Sequence, residues 1–158
     1  MRTVLPLAPV ARTGPTARTV AGVLEAIDRI LIHELISDYG HLIDAREFSR
    51  LGENMTADVV YDMTAFELGV AHGLDEVIAM WTRPDAHHPL AHHATNVVIT
   101  EHPDGTVRVR SKGIGVGFKG RVGTVTYLDV VRKTPAGWRI AARTGVLRRP
   151  EDPPPPIS

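Results

Sequence analysis

The first third of the chain carries apolar residues at spacings of three and four, the period of one face of an α-helix. This stripe runs from Val20 to Ile43 and includes Tyr39. We therefore predict a long helix that carries the Tyr39 ring into the interior, where its hydroxyl needs a hydrogen-bond partner or a ligand. On the residues alone, a core tyrosine bonded to the backbone is an equally open interpretation.

A second, short helix is predicted from Ala45 to about Gly52. Asp44 would be its N-cap, with Glu47 three residues further on, which is the spacing of a capping box. A capping role is thus a purely structural explanation of Asp44.

Beyond residue 54 the pattern becomes strand-like. Met55 to Ala65 is rich in residues that favour strands, and Leu74 to Trp81 predicts a short amphipathic helix. An Asp104-Gly105 turn joins two strand-like runs, and a turn at Thr134 to Gly137 joins two more. Helices followed by such a meander predict an α+β fold in which a curved, mixed or antiparallel sheet wraps around the helices.

The two ends of the chain lack this periodicity. Residues 1–19 mix Pro, Thr, Ala and Arg, and two prolines interrupt the apolar core that a secretory signal needs. Residues 150–158 carry a four-proline run, which cannot supply backbone donors to a helix or a sheet. We expect a flexible arm over 1–19, one domain over 20–149 and a proline-rich tail over 150–158.

Charge and cysteine content narrow the class of protein. The 18 basic and 18 acidic residues balance, so no strong charge favours nucleic acid or an anionic membrane as a partner. The chain has no cysteine, which excludes disulfides and thiolate metal sites and fits a reducing compartment. No apolar run approaches the roughly 20 residues that a membrane helix needs. We expect a soluble, cytoplasmic protein.

Four of the eight histidines fall within seven residues, from His87 to His93. His88 and His92 are four apart, as in a helical metal site, but Pro89 lies between them and prevents a regular helix there. No HExxH motif or dense carboxylate cluster accompanies them. We therefore expect no metal, and we interpret His87 and His88 as loop residues.

His92 and His93 open a predicted strand, so their side chains point to opposite faces and only one of them can face the interior. His92 would share its face with Ala94, Asn96 and Val98. The alternation alone does not select which face is the inner one.

Three stretches together carry a resemblance to a known family. They are DYGHLIDAREF near the end of the first helix, HHATN at a strand start, and GRVGTVTYLDVVRKTPAGWRIAAR at the end of the domain. In these stretches and in the order of its elements, the chain resembles the SnoaL-like family of the nuclear-transport-factor-2-like superfamily over about residues 22–149. Its enzymatic members include scytalone dehydratase, bile-acid dehydratases and polyketide cyclases. The resemblance implies a cone whose curved sheet and helices enclose an apolar pocket.

The resemblance also implies a catalytic site formed by Tyr39, Asp44, His92 and Arg143. Asp44 would orient His92, the base that takes a proton from carbon next to a carbonyl. Tyr39 would donate to the carbonyl or to a leaving hydroxyl. Arg143 would hold a carboxylate or enolate oxygen, or else pair with an acidic neighbour. The substrate-binding residues expected beside them are Trp81, Asn96, Tyr61 and Tyr127.

Such a site predicts an enzyme that needs no cofactor and acts on a small apolar molecule of polyketide, steroid or terpenoid type. Dehydration, isomerisation and cyclisation would all begin with the same proton abstraction. Two alternatives stay open. One is a non-catalytic binding protein of the same fold. The other is an epoxide-opening enzyme that uses Asp129 and Arg143, unless Asp129 simply faces solvent.

The outward face of the predicted sheet has more apolar and small residues than solvent favours. Members of the resembled family commonly pair through this face. We therefore expect a homodimer whose partner is a second copy of the chain, in addition to the small-molecule substrate.

Overall fold

A computed structural model gives the structure of residues 24–86 and 88–153. The predicted arm over 1–19 lies outside these residues, as do His87 and residues 154–158 of the predicted tail. Within the described ranges, no helix has the length and apolar character needed to cross a membrane.

The long helix, α1, spans Ala26–Asp44. It packs on the inner face of the sheet, where Ile32, Ile36, Tyr39 and Ile43 are all buried. These positions lie three and four apart, so the apolar stripe predicted the buried face. Within the described residues the helix begins at Ala26, and the first part of the stripe, residues 20–23, lies outside them.

The predicted short helix after α1 is present as a 3-10 helix that begins later than predicted, but the predicted capping box at Asp44 is wrong. Asp44 is the last residue of α1, and a 3-10 helix spans Phe48–Glu53 with no side-chain cap. The chain leaves α1 through Ala45, the C-cap, and Arg46, whose φ of 59° is left-handed. Asp44 is therefore not a helix cap, and its carboxylate is directed elsewhere.

In the described part of the chain, six strands form one curved, unclosed sheet in the order β2-β1-β6-β5-β4-β3. The strands are β1 Met55–Asp62, β2 Val70–His72, β3 Ala91–Glu101, β4 Val107–Val116, β5 Val122–Thr134 and β6 Gly137–Val146. A second helix, α2, spans Leu74–Thr82 between β2 and β3, as predicted. Short 3-10 turns occupy Thr64–Phe66 and Phe118–Gly120.

Both predicted hairpins are confirmed. β3 and β4 meet at the Asp104-Gly105 turn, and β5 and β6 pair from Thr134 and Gly137 onwards. Gly105 and Gly137 have φ values of 80° and 110°, which favour glycine. The parallel pairing of β1 with β6 makes the sheet mixed. Neither that pairing nor the short β2 was evident from the pattern, because both depend on contacts distant in sequence.

A bulge in β3 changes which side chains face the interior. The register with β4 shifts between Thr95 and Val98, and Asn96 has a φ of 52°. Before the bulge His92 is partly buried and His93 is exposed, whereas after it Val97 is partly buried and Val98 is exposed. The prediction that His92 shares a face with Asn96 and Val98 is therefore wrong, because an extra residue reverses the alternation.

Candidate active site

Asp44 and His92 form the first part of the candidate site. Oδ1 of Asp44 lies 2.6 Å from Nδ1 of His92, and Oδ2 accepts a 2.9 Å hydrogen bond from the backbone N–H of His92. Both side chains are only partly exposed. Because a carboxylate can only accept, Nδ1 carries the proton, and Nε2 of the neutral imidazole is left as a base.

Gly40 explains how α1 comes close enough to β3 for this contact. A Cβ at this position would lie 2.9 Å from the backbone oxygen of His92, closer than real contacts allow. Without a side chain there, α1 packs directly on the backbone of β3, and Asp44, one helical turn further on, reaches His92. A glycine inside a regular helical stripe is a sequence signal for such a close approach, although it was not among the predicted site residues.

All three tyrosines of the chain meet in the interior. The hydroxyls of Tyr39 and Tyr61 lie 2.6 Å apart, and the Tyr127 ring contacts Tyr39 edge-on with the centroids 6.2 Å apart. Burial raises the pKa of each of these phenols above its ordinary value. The hydroxyls are therefore neutral donors at physiological pH.

Arg143 lies against two of these rings. Its guanidinium carbon is 4.2 Å from the centroid of Tyr39 and 4.4 Å from that of Tyr127. Nε and Nη2 each donate a 2.8 Å hydrogen bond to Asp129. Burial opposes the charge of Arg143, but the adjacent Asp129 carboxylate outweighs it and raises the pKa of the guanidinium. The interior thus contains a permanent cation.

Asp129 belongs to this interior, and the alternative that it faces solvent is wrong. Its residue exposure is 2%. The register of β5 and β6 places it directly opposite Arg143, so the two form a bidentate pair across neighbouring strands. Arg143 therefore pairs with an acidic neighbour, one of the two roles that were left open for it.

Trp81, at the end of α2, joins the Asp44–His92 pair to the tyrosines. Its ring lies edge-on to Tyr39 and Tyr61, with both centroid distances 6.4 Å. It also lies edge-on to His92 at 6.2 Å. The imidazole and the phenols are thus neighbours in one aromatic cluster.

Two further rings extend this cluster. His88 stacks on Trp81 with the centroids 5.1 Å apart and the planes 19° from parallel, and Phe48 stacks on Trp81 at 6.3 Å. His88 was interpreted as a loop residue, and it does lie in the loop before β3, but its ring is partly buried here. No sequence pattern indicated either contact, because each joins residues from different segments of the chain.

The structure does not place Asn96 with the other predicted residues. Asn96 is exposed at the bulge. His93 is also exposed, on the strand face opposite His92. Among the described residues, no three His, Asp or Glu side chains are grouped as metal ligands would be. Two surface clefts of about 280 and 270 Å³ lie elsewhere, one beside the 3-10 helix at Phe48–Glu53 and one beside β2 and α2.

This arrangement combines three chemical capabilities in one interior. The imidazole of His92 offers a base, the paired phenols of Tyr39 and Tyr61 offer neutral donors, and Arg143 offers a fixed positive charge. Together they can move a proton and stabilise the negative charge that develops on an oxygen.

Solved structures with the same fold include three from Novosphingobium aromaticivorans. A nuclear-transport-factor-2-like protein with a cystatin-like fold is 27% identical, with a TM-score of 0.66 over 77% of this chain and 82% of that one. A provisionally named aromatic ring hydroxylase is 28% identical, with a TM-score of 0.62 over 81% and 94%. A provisionally named scytalone dehydratase is 18% identical, with a TM-score of 0.61 over 78% and 85%, and shares the fold alone.

Comparison with curated proteins gives no match. The family model described as the SnoaL-like domain, in contrast, matches residues 24–144. This range begins just before α1 and ends within β6, so it includes every residue of the interior cluster described above. The chain therefore belongs to the family of SnoaL-like domains.

Proposed function

We propose that this protein is a cofactor-independent enzyme that removes a proton from carbon next to a carbonyl group. The substrate is a small apolar molecule, and the outcome is dehydration, isomerisation or cyclisation. The observation that carries the proposal is the 2.6 Å contact between Asp44 and Nδ1 of His92. It holds the imidazole in the tautomer whose Nε2 can accept the proton.

The Tyr39–Tyr61 pair supplies the acid. Of the two hydroxyl protons, only one can lie between the oxygens, which are 2.6 Å apart, so the other can be donated to a substrate oxygen. Arg143, beside the Tyr39 ring, then stabilises the negative charge that forms on the enolate or on a departing hydroxyl. Trp81, which contacts Tyr39 and His92, would pack against the apolar part of the substrate.

Membership in the SnoaL-like family supports this reaction class, since the family includes cyclases and dehydratases. The structure gives less support to epoxide opening by Asp129 and Arg143. Their side chains are 0% and 1% exposed and are bonded to each other through two hydrogen bonds. The Asp129 carboxylate is therefore not available to attack or protonate an oxirane without breaking a buried ion pair.

The test follows hydrogen–deuterium exchange by NMR at the carbon next to the carbonyl, for a panel of cyclic hydroxy-ketones and poly-ketones in D2O. Exchange precedes all three outcomes, so the final product need not be known. We expect the wild-type protein to catalyse exchange of at least one member. The His92→Gln variant should reduce the rate by roughly 100-fold or more, the usual contribution of a positioned base.

The matched control is His93→Gln, which changes the adjacent histidine on the exposed face of the strand. This variant should exchange at the wild-type rate. Equal rates in the His92→Gln variant and the wild-type protein would refute the proposal. Binding of panel members without exchange would favour a non-catalytic binding protein.

A further inference from the structure

Among the buried polar groups of the described residues that lack a hydrogen-bond partner, two lie beside Tyr127 on the inner face of the sheet. Nε and Nη2 of Arg143 both donate hydrogen bonds to Asp129, whereas its Nη1 is buried and has no hydrogen-bond partner. Ser111, on β4, is 1% exposed, and its Oγ is also buried and unpaired. Proteins rarely leave such groups unsatisfied, because burying them without a partner is unfavourable. Both groups therefore need a hydrogen-bond partner, which a bound molecule can supply.

Tyr127 lies between these two groups. Ser111 is its direct partner in the register of β4 and β5, and the guanidinium of Arg143 is 4.4 Å from its ring centroid. β4 and β6 are separated by one strand, so their backbones lie roughly 10 Å apart. Side chains of both strands lie on the same inner face with the Tyr127 ring between them, so a ligand that contacts both groups has to lie against that ring.

The chemistry of the two groups defines what would bind. Nη1 of Arg143 can only donate, so its partner is an acceptor oxygen such as a carbonyl, enolate or phenolate oxygen. The Ser111 hydroxyl can donate or accept, so its partner is a hydroxyl or a second carbonyl.

We propose that Ser111 is a substrate-binding residue, and that the substrate is an apolar ring system carrying two separated oxygens, one bound by Arg143 and the other by Ser111. Calling the ligand a substrate rests on the proposed function. The predicted binding of its two oxygens does not depend on that function. No residue on β4 was among those predicted from the sequence.

The test measures binding by calorimetry, without turnover. The probes are 2-naphthol, which has one oxygen, and the 1,3-, 1,6- and 2,7-dihydroxynaphthalenes, which have two. We expect at least one dihydroxy isomer to bind the wild-type protein tenfold more tightly than 2-naphthol. In the Ser111→Ala variant this ratio should fall to about one, while the Kd of 2-naphthol stays unchanged. Thr124→Ala, which removes an exposed hydroxyl from β5, is the matched control and should retain the ratio.

The unliganded variant gives a second measurement. If the Ser111 hydroxyl makes no bond within the protein, replacing it by Ala should leave Tm unchanged or raise it by about 2–4 °C. A fall in Tm with an unchanged ratio would show that Ser111 serves a buried water or the fold, and would overturn the proposal. An unchanged ratio in both Ser111→Ala and the isosteric Ser111→Cys variant would also overturn it, as would the absence of binding to every probe.

The His92→Gln variant separates this inference from the proposed function. It should lose exchange activity and keep the wild-type ratio of the two probe classes. Suppose that exchange persists in the His92→Gln variant while Ser111→Ala binds the two probe classes equally. That result would refute His92 as the base and would support the two-oxygen site. If exchange is lost but Ser111→Ala retains the ratio, the chemistry stands and this site is wrong.

Discussion

The orientation of His92 depends on a single carboxylate. One oxygen of Asp44 holds the imidazole and the other holds the backbone N–H of the same residue. The backbone bond fixes where β3 begins relative to α1, and the ring bond fixes the tautomer. Structural and chemical roles are therefore combined in Asp44, and substitutions can separate them.

Replacing Asp44 tests both roles. Asp44→Ala should lower the free energy of unfolding by about 1–3 kcal/mol, because a partly buried N–H loses its acceptor. Asp44→Asn should lower kcat, because its amide cannot accept both hydrogen bonds. Urea unfolding and the exchange assay provide the two measurements.

The Asp44→Asn/His92→Gln double variant should be little slower than His92→Gln alone. If the two losses simply added, the residues would be acting independently.

The buried tyrosines predict a dependence of stability on alkaline pH. Burial raises the pKa of Tyr39, Tyr61 and Tyr127 in the folded protein, so above about pH 10 only the unfolded chain loses these protons. The folded state then binds more protons, and stability decreases as pH rises, by up to about 1.4 kcal/mol per pH unit per tyrosine. Tyrosinate absorbance at 295 nm should therefore appear together with unfolding.

The Tyr61→Phe variant is the control for this pH dependence. It removes one of the three titrating groups and should give a shallower loss of stability above pH 10. Tyrosinate that formed well below the unfolding transition, in a protein still folded by circular dichroism, would contradict the burial of these side chains.

The contact between α1 and β3 is the element-level feature that assembles the site. Gly40 permits this contact because it has no side chain. A Cβ at this position would lie 2.9 Å from the backbone oxygen of His92. Neither partner can give way easily, because one is a helix backbone and the other a paired strand. The distance between the two elements is therefore set by this glycine.

Gly40→Ala should destabilise the protein although alanine is the better helix former by about 1 kcal/mol. The strain of the forced contact should exceed this gain and cost about 1–3 kcal/mol in the free energy of unfolding. It should also reduce exchange activity, because Asp44 moves away from His92. Gly123→Ala is the matched control, since a Cβ there would meet nothing within 4 Å. A Gly40→Ala protein as stable and active as the wild type would refute the close approach.

For the molecule as a whole, the outer face of the sheet is notable because it exposes large apolar side chains to solvent. Val60 on β1, Val98 on β3 and Leu128 on β5 are 40%, 47% and 46% exposed. Leu128 lies between Arg110 of β4 and Thr144 of β6 in the register. Large apolar side chains exposed on one face of a sheet favour burial against a partner.

We predict a homodimer that pairs through this face, with a two-fold axis between the copies. Light scattering at micromolar concentration should give twice the mass of the 158-residue chain. Leu128→Glu should give a monomer, because two carboxylates would be buried at the interface. Leu90→Glu, in the loop before β3, where Leu90 is 63% exposed, should remain a dimer. A monomeric wild-type protein would count against the prediction.

Local pattern was enough to predict the main elements. The helical stripe marked the buried face of α1 and directed Tyr39 inward, and the Asp104-Gly105 and Thr134–Gly137 turns defined two hairpins. These features depend on residues that are neighbours in sequence, where side-chain period and turn chemistry act directly. Only the family resemblance predicted that Tyr39, Asp44 and His92 belong to one site. The periodicity of a segment does not show which distant elements it contacts.

Tertiary structure alone decided which partners these side chains meet. Counting back from the turn at Thr134–Gly137 would place Ala142 opposite Asp129, but a register shift between Val130 and Val131 places Arg143 there and creates the buried ion pair. The bulge in β3 turns Asn96 outward in the same way. One extra residue changes both the face and the partner of every side chain beyond it. Where that residue is accommodated depends on how neighbouring strands and α1 pack, which is not encoded in the spacing along any one segment.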